Sequence, residues 1–247
     1  MKIALLSDLH LSVPGPGCAF GTRLEDFERA WDAIAATHDR VILVGDVWDH
    51  DAGTHLYRRR EAIQAARRHW PTLHARFHAP NVLSVVGNHD AHLAHEGVPD
   101  VVTLVVEGVR LVVVHGHQLR WGWRAWEEVK YPVKWFATWE QRRGAGLIGH
   151  ALYATNRLLH RDGDDTRGLT GAALALLDRP DVDVLVCGHT HQPRILEAPG
   201  GLYINTGACS FGRLDWVSLE LPARIATLHT LDDATEPSAH PSRGARP

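Results

Sequence analysis

The chain has 247 residues, 45% of them hydrophobic, which is enough apolar material for one substantial core and does not force a division into two independent domains. A formal charge of −3 lacks the overall basic excess of a general nucleic-acid coat. Cys18, Cys187 and Cys209 are odd in number and widely scattered, which argues against a disulfide framework or a thiolate zinc site.

Lys2 to Ser7 is the first apolar run of strand length, and it stops at Asp8 and His10. No basic leader with a long apolar stretch precedes it, and no run approaches the roughly 20 apolar residues that cross a bilayer, so a reducing cytoplasm and no transmembrane segment are expected. After the Gly/Pro loop at Val13 to Gly17, Leu24, Phe27, Trp31 and Ile34 recur at helical spacing and predict a helix whose apolar stripe covers a sheet. The second run, Val41 to Gly45, stops at Asp46. An arginine-rich stretch from Thr54 to about Phe77 predicts one helix with a solvated face, ending ahead of Pro80. Three further runs follow: Val82 to Gly87 stops at Asn88, Arg110 to Val114 at His115, and Val184 to Gly188 at His189 and His191.

Between the last two runs, residues from about 120 to 178 read as a helical insertion with Trp121, Trp123, Trp126, Trp135 and Trp139. From Arg120 to Arg161 six arginines and two lysines stand against three glutamates. Such a segment reads as a lid or an anion-seating wall, or equally as aromatic filling beneath the insertion. Tyr203 to Thr206 is a further short strand, and Asp215 to Leu221 with Arg224 to Leu231 predicts a hairpin across Pro222. Residues 1–231 are expected to form one domain, and 232–247, polar and Pro-rich, a disordered tail.

Continuous apolar strands indicate a sheet covered on both faces, and polar groups then collect beyond the strands' carboxyl ends. Carboxylate, imidazole and amide oxygen together suit borderline-hard divalent cations. Asp8 and His10 are two residues apart, as are His189 and His191, so each pair can serve one site. Two cations roughly 3.5 to 4 Å apart, bridged by a carboxylate, would share these ligands and polarise a phosphoryl oxygen.

In that order, Asp8-Leu-His10, Gly45-Asp-Val-Trp-Asp49, Gly87-Asn-His-Asp90, His115 and Gly188-His-Thr-His191 resemble the calcineurin-like metallophosphoesterase superfamily over about residues 1 to 210. The resemblance implies an α/β fold of two packed mixed β-sheets flanked by helices, a four-layer sandwich. It also implies a dinuclear phosphoesterase acting on a phosphate monoester, diester or pyrophosphate through attack by metal-bound hydroxide. Asp8, His10 and His191 would hold one ion, Asn88, His115 and His189 the other, with Asp46 bridging both. The ions would be manganese, iron or zinc, with manganese favoured. His89 would protonate or stabilise the leaving oxygen, oriented by Asp49 or by its competitor Asp90. His117, Trp121 and Arg124 are candidate substrate contacts, while His50, His55, His92 and His95 read as solvated loop histidines.

The helical insertion and Tyr203-Ile-Asn-Thr-Gly207 make the layout similar to the branch containing UDP-2,3-diacylglucosamine pyrophosphohydrolase. That branch has arginine at the position of His89 and an HGD pattern at His115-Gly-His117. His50 stands where many phosphoprotein phosphatases of the superfamily have arginine. The expected partner is a phosphorylated small molecule or a lipid-linked substrate, with peripheral membrane contact left open. Nucleic acid is not expected, the basic part of the insertion being the sole feature to suggest it. A scaffold without catalysis is the alternative from another class, and the completeness of the ligand set weighs against it.

Overall fold

A computed structural model describes residues 1–15, 17–51, 58–119, 168–232 and 238–240, together with positions 132, 135, 136, 139 and 140. Strands β1 (Lys2–Leu6), β2 (Arg40–Val44), β3 (Val82–Val85), β4 (Val101–Val106), β5 (Val109–Val114), β6 (Val184–Cys187), β7 (Arg194–Ala198), β8 (Gly201–Asn205), β9 (Arg213–Glu220), β10 (Ile225–Asp232) and β11 (Ser238–His240) form two sheets. One has the order β11-β10-β9-β1-β2-β3 and the other β4-β5-β6-β8-β7. Parallel pairing joins β1 to β2 and β2 to β3 in the first sheet, and β5 to β6 and β6 to β8 in the second.

The period-2 alternation of strand side chains shows why these strands are apolar throughout. Ile3, Leu5, Ile42 and Val44 face the second sheet and pack with Leu111, Val113, Val184, Val186 and Ile204. Their neighbours Ala4, Leu6, Val41 and Leu43 face outward. There they meet Phe27, Trp31 and Ile34 of α1 (Leu24–Thr37), Ile63 and Ala66 of α2 (Arg59–His69), and Leu73 and Phe77 of α3 (Pro71–Phe77). On the far side, Ala173 and Leu177 of α4 (Leu169–Leu177) cover Leu185, Cys187 and Tyr203. The layers therefore run helix, sheet, sheet, helix, and each fully buried aliphatic side chain contributes about 1.5–3 kcal/mol of transfer free energy.

The expected helix from Thr54 to about Phe77 is divided. Pro71 has no N–H and restricts the residue before it, so Trp70 leaves helical geometry at φ −113°, ψ 58° and α3 begins anew; residues 52–57 lie outside the described set. Two edge strands were not anticipated. β4 joins β5 through Glu107 and Gly108, both at positive φ, as in a tight hairpin turn, and β7 pairs antiparallel with β8. Within the stretch expected to be a disordered tail, Ser238–His240 pairs with β10, an edge addition that needs backbone groups and no apolar side chain. Most of the Trp-rich insertion lies outside the described residues. Of it, Trp135 and Phe136 are seen stacking on Trp139, with ring centroids 6.4 and 5.4 Å away.

Candidate metal centre

Asp8 and His10 follow β1, Asp46 follows β2, Asn88 and His89 follow β3, His115 follows β5, and His189 and His191 follow β6. Because β1, β2 and β3 are parallel, as are β5 and β6, their carboxyl ends emerge at one rim. The loops there are tied to each other by backbone bonds from Asp8 N–H to Gly45 O at 3.1 Å, His10 N–H to Asp46 O at 3.0 Å and Gly188 N–H to His115 O at 2.9 Å. Asp8, His10, Asp46, His189 and His191 all have φ between 49° and 71°. Left-handed backbone costs a residue other than glycine on the order of 1–3 kcal/mol, and such strain tends to collect where function demands a geometry.

Among the described residues the side chains converge in three groups, Asp8 with His10 and His191, Asp46 with His115 and His189, and His10 again with Asp49 and His89, the potential ligand atoms of each group lying within 4.8 Å of one another. His191 Nε2 is 3.1 Å from Asp8 Oδ1, and His115 Nε2 is 3.2 Å from Asp46 Oδ2. The groups adjoin: His10 Nε2 is 3.9 Å from Asp46 Oδ2, and His115 Nε2 is 3.9 Å from Asp8 Oδ1. Asn88 is buried at the same rim, one residue before His89, whose N–H donates to Asp46 Oδ1 at 2.8 Å.

Divalent cations fit this donor set. His115 Nδ1–H donates to the Val44 carbonyl at 2.7 Å, so Nε2 turns a lone pair toward the two carboxylates, an arrangement that repels unless a positive charge lies between. Asp8 Oδ1, Asn88 Oδ1 and His115 Nε2 are buried without a hydrogen-bond partner among the described residues. Each such orphan ordinarily costs about 1–3 kcal/mol, and cations held by the first two ligand groups would satisfy all three. With protons as the available cations, burial disfavours charge on His115, yet Asp46 and Asp8 raise it to about 9. Burial likewise opposes ionisation of Asp8, but His191 and His115 hold its carboxyl well below the usual range.

In the third group, His89 Nδ1 lies 3.0 Å from Asp49 Oδ1, and His10 Nδ1 lies 3.7 Å from Asp49 Oδ2, so one carboxylate serves two rings. Asp90, the other carboxylate weighed for His89, accepts N–H groups from Gly87 at 2.6 Å, Val47 at 2.8 Å and Trp48 at 3.3 Å and staples two loops together. His117 is buried beside His115 and His189, with ring centroids 5.4 and 6.2 Å distant. Trp121, Arg124 and His55 lie outside the described residues.

His50 was expected to be solvated, and the structure buries it. Burial holds its imidazole down at about 4 against the pull of Asp51, because the loop after β2 folds inward to bring Asp49 to His89. Three supporting groups escaped the sequence reading. Asp51 approaches His89 Nδ1 at 3.4 Å, Ser7 Oγ donates to Asp8 Oδ2, and Asn205 Nδ2 donates to Gly188 O at 2.7 Å. Of these, Ser7 and Asn205 carried a signal, each a polar residue at the end of an apolar strand as the ligands are.

Gly87 shows how closely the loops approach. A β-carbon there would collide with the Asp46 carboxylate, lying 2.7 Å from its Cγ. Gly87→Ala is therefore expected to destabilise the fold by about 1–3 kcal/mol and displace Asp46. A thermal melt with metal analysis reads both effects; an unchanged melting temperature and full metal content would show that Asp46 has room to yield.

The model of the calcineurin-like phosphoesterase superfamily domain matches residues 1–218. A UDP-2,3-diacylglucosamine hydrolase of Ralstonia nicotianae is 27% identical over 225 residues, 81% of this chain and 80% of that one. Among solved structures, a single mutant of Vps29 from Entamoeba histolytica superposes with a TM-score of 0.52 at 18% identity, covering 97% of this chain and 99% of that one. Vps29 of Chaetomium thermophilum gives 0.52 at 11% identity, covering 97% and 95%. The two-sheet architecture, the five strand ends that meet at one rim and a domain match running through β1 to β8 and into β9 agree: the chain belongs to the calcineurin-like phosphoesterase superfamily.

Proposed function

We propose that this protein is a hydrolase of phosphoric esters or anhydrides that works with two divalent cations, manganese favoured. The observation that carries this reading is the pair of adjoining ligand groups, Asp8/His10/His191 and Asp46/His115/His189, with Asn88 adding an amide oxygen and Asp46 placed to be shared. Such cations, when bound, lower the proton affinity of water and draw charge from a phosphoryl group.

The chain's own residues supply the remaining functions. Asp49 orients His89, and His89 delivers a proton to the leaving oxygen, for which an imidazole is suited near neutral pH. Ser7 and the His189 N–H, which donates to Asp8 Oδ2 at 3.0 Å, hold that carboxylate with its other oxygen turned to the cations. His117, buried beside His115 and His189, is assigned as a substrate contact, as are Trp121 and Arg124.

The substrate is a phosphate monoester, diester or pyrophosphate. Similarity to the Ralstonia hydrolase favours a UDP-linked acylated sugar as the second reading. Among the described residues no helix is long and apolar enough to cross a membrane, and contact with a lipid substrate is assigned as peripheral. The free Cys187 and Cys209, both buried, accord with a reducing cytoplasm. Elemental analysis of purified protein is expected to find up to two ions per chain, and chelation to abolish hydrolysis of aryl phosphates with recovery on adding Mn²⁺. Metal-free protein with full activity would defeat the reading, and a solubilised UDP-acylglucosamine cleaved far faster than aryl esters would select the second substrate.

A further inference from the structure

Phe211 is 48% exposed, and its ring centroid lies 6.5 Å from that of His191. It sits where an aromatic residue is disfavoured. Phe211 has φ 56° and Gly212 φ 80°, and Arg213 N–H closes the turn onto Ser210 O at 3.1 Å. Positive φ at both central residues is the mark of a type I′ turn, whose first central position prefers Asn, Asp or Gly. The turn is held firmly: Phe211 N–H donates to Ala19 O at 2.7 Å, and a β-carbon on Gly21 would meet Gly212 N at 2.7 Å. Backbone strain and the exposure of an aromatic ring are thus accepted together, at the rim of the site, in a segment with defined geometry. The same loop that supplies Ala19 and Gly21 begins at His10 and exposes Val13 at 40%.

We infer that Phe211 is a substrate contact, an apolar lip on the His191 side of the site that seats an apolar group carried next to the phosphoryl group. The inference rests on the phosphoester reading and narrows it to substrates whose phosphate adjoins an aryl or alkyl moiety. A rigid aromatic side chain that is 48% exposed gives contact area at little conformational cost, and the strained turn aims it rather than leaving it to a flexible loop.

The test compares wild type, Phe211→Asn and Phe211→Trp, each supplied with Mn²⁺, in binding methylphosphonate, phenylphosphonate and hexylphosphonate by calorimetry. Asn suits the turn, so the fold is retained, and melting temperatures verify it. Phe211→Asn is expected to weaken phenylphosphonate binding by roughly 5- to 10-fold, the scale of one lost aromatic face, while methylphosphonate binding is unchanged and Phe211→Trp restores the preference. An equal loss for hexylphosphonate identifies a general apolar seat; a loss confined to phenylphosphonate identifies ring stacking. Equal changes for all three ligands, or none, would overturn the inference. For aryl phosphate turnover, KM should rise with kcat unaltered, and a fall in kcat alone would also count against it. Absence of any phosphoester turnover in wild type would instead refute the phosphoester reading, since the phosphonate comparison reads Phe211 without catalysis.

Discussion

Asp46→Asn is expected to lower kcat/KM by about 1000-fold and to strip metal from the protein. Asp46 is where the two ligand groups meet, with Oδ2 3.2 Å from His115 Nε2 and 3.9 Å from His10 Nε2. Removing a shared negative charge forfeits several kcal/mol of electrostatic stabilisation, at roughly 1.4 kcal/mol per factor of ten. The substitution isolates charge from structure. Asn tolerates the left-handed backbone that Asp46 adopts at φ 52°, and its amide oxygen can still accept the His89 N–H that Asp46 Oδ1 accepts at 2.8 Å. The variant should therefore fold. Metal content and kcat/KM on an aryl phosphate are the readouts, and a variant that kept both ions and near-normal turnover would show that Asp46 bridges nothing.

His89→Ala should separate chemistry from metal binding. The ring belongs to neither of the two ligand groups that center on Asp8 and Asp46, and its Nδ1 is engaged by Asp49 at 3.0 Å. Loss of a positioned proton donor costs about 100- to 10,000-fold, while metal content should be unchanged. The loss should be steepest for alkyl leaving groups, which need a proton, and mildest for nitrophenyl esters, which do not. Equal losses across that series would assign His89 a role in binding rather than in proton delivery. Asp49→Asn should follow the same leaving-group trend more weakly, with some disturbance of metal content, because Asp49 also lies 3.7 Å from His10 Nδ1.

The strands that carry the site were legible because their signal is local. An apolar run of four to six residues that stops at a ligand-type side chain, directly after Gly in β2, β3 and β6, is visible without knowing what lies beside it, and β1, β2, β3, β5 and β6 all fall on such runs. Helix α1 was legible for the same reason, through Phe27, Trp31 and Ile34 on one face. Strands β4 and β7 at the edges of the second sheet were not. Val101 to Val106 alternates exposed with half-buried positions, and without knowledge of its partner the run merges with the segment that follows. Asp90 illustrates a different gap. Its neighbour in sequence is His89, but the loop geometry turns both its oxygens to backbone N–H groups of Gly87, Val47 and Trp48.

Residue types and their spacing were enough to determine that the chain forms covered sheets and to single out Asp8, His10, Asp46, Asn88, His115, His189 and His191 as candidate ligands, because donor atoms and strand periodicity are properties of short segments. Tertiary structure decided that Asp49 rather than Asp90 meets His89, that His50 is buried, and that Phe211 stands beside His191. Those outcomes depend on loops from distant parts of the chain closing on one another, and on a backbone driven into left-handed geometry by its neighbours, which no local pattern encodes.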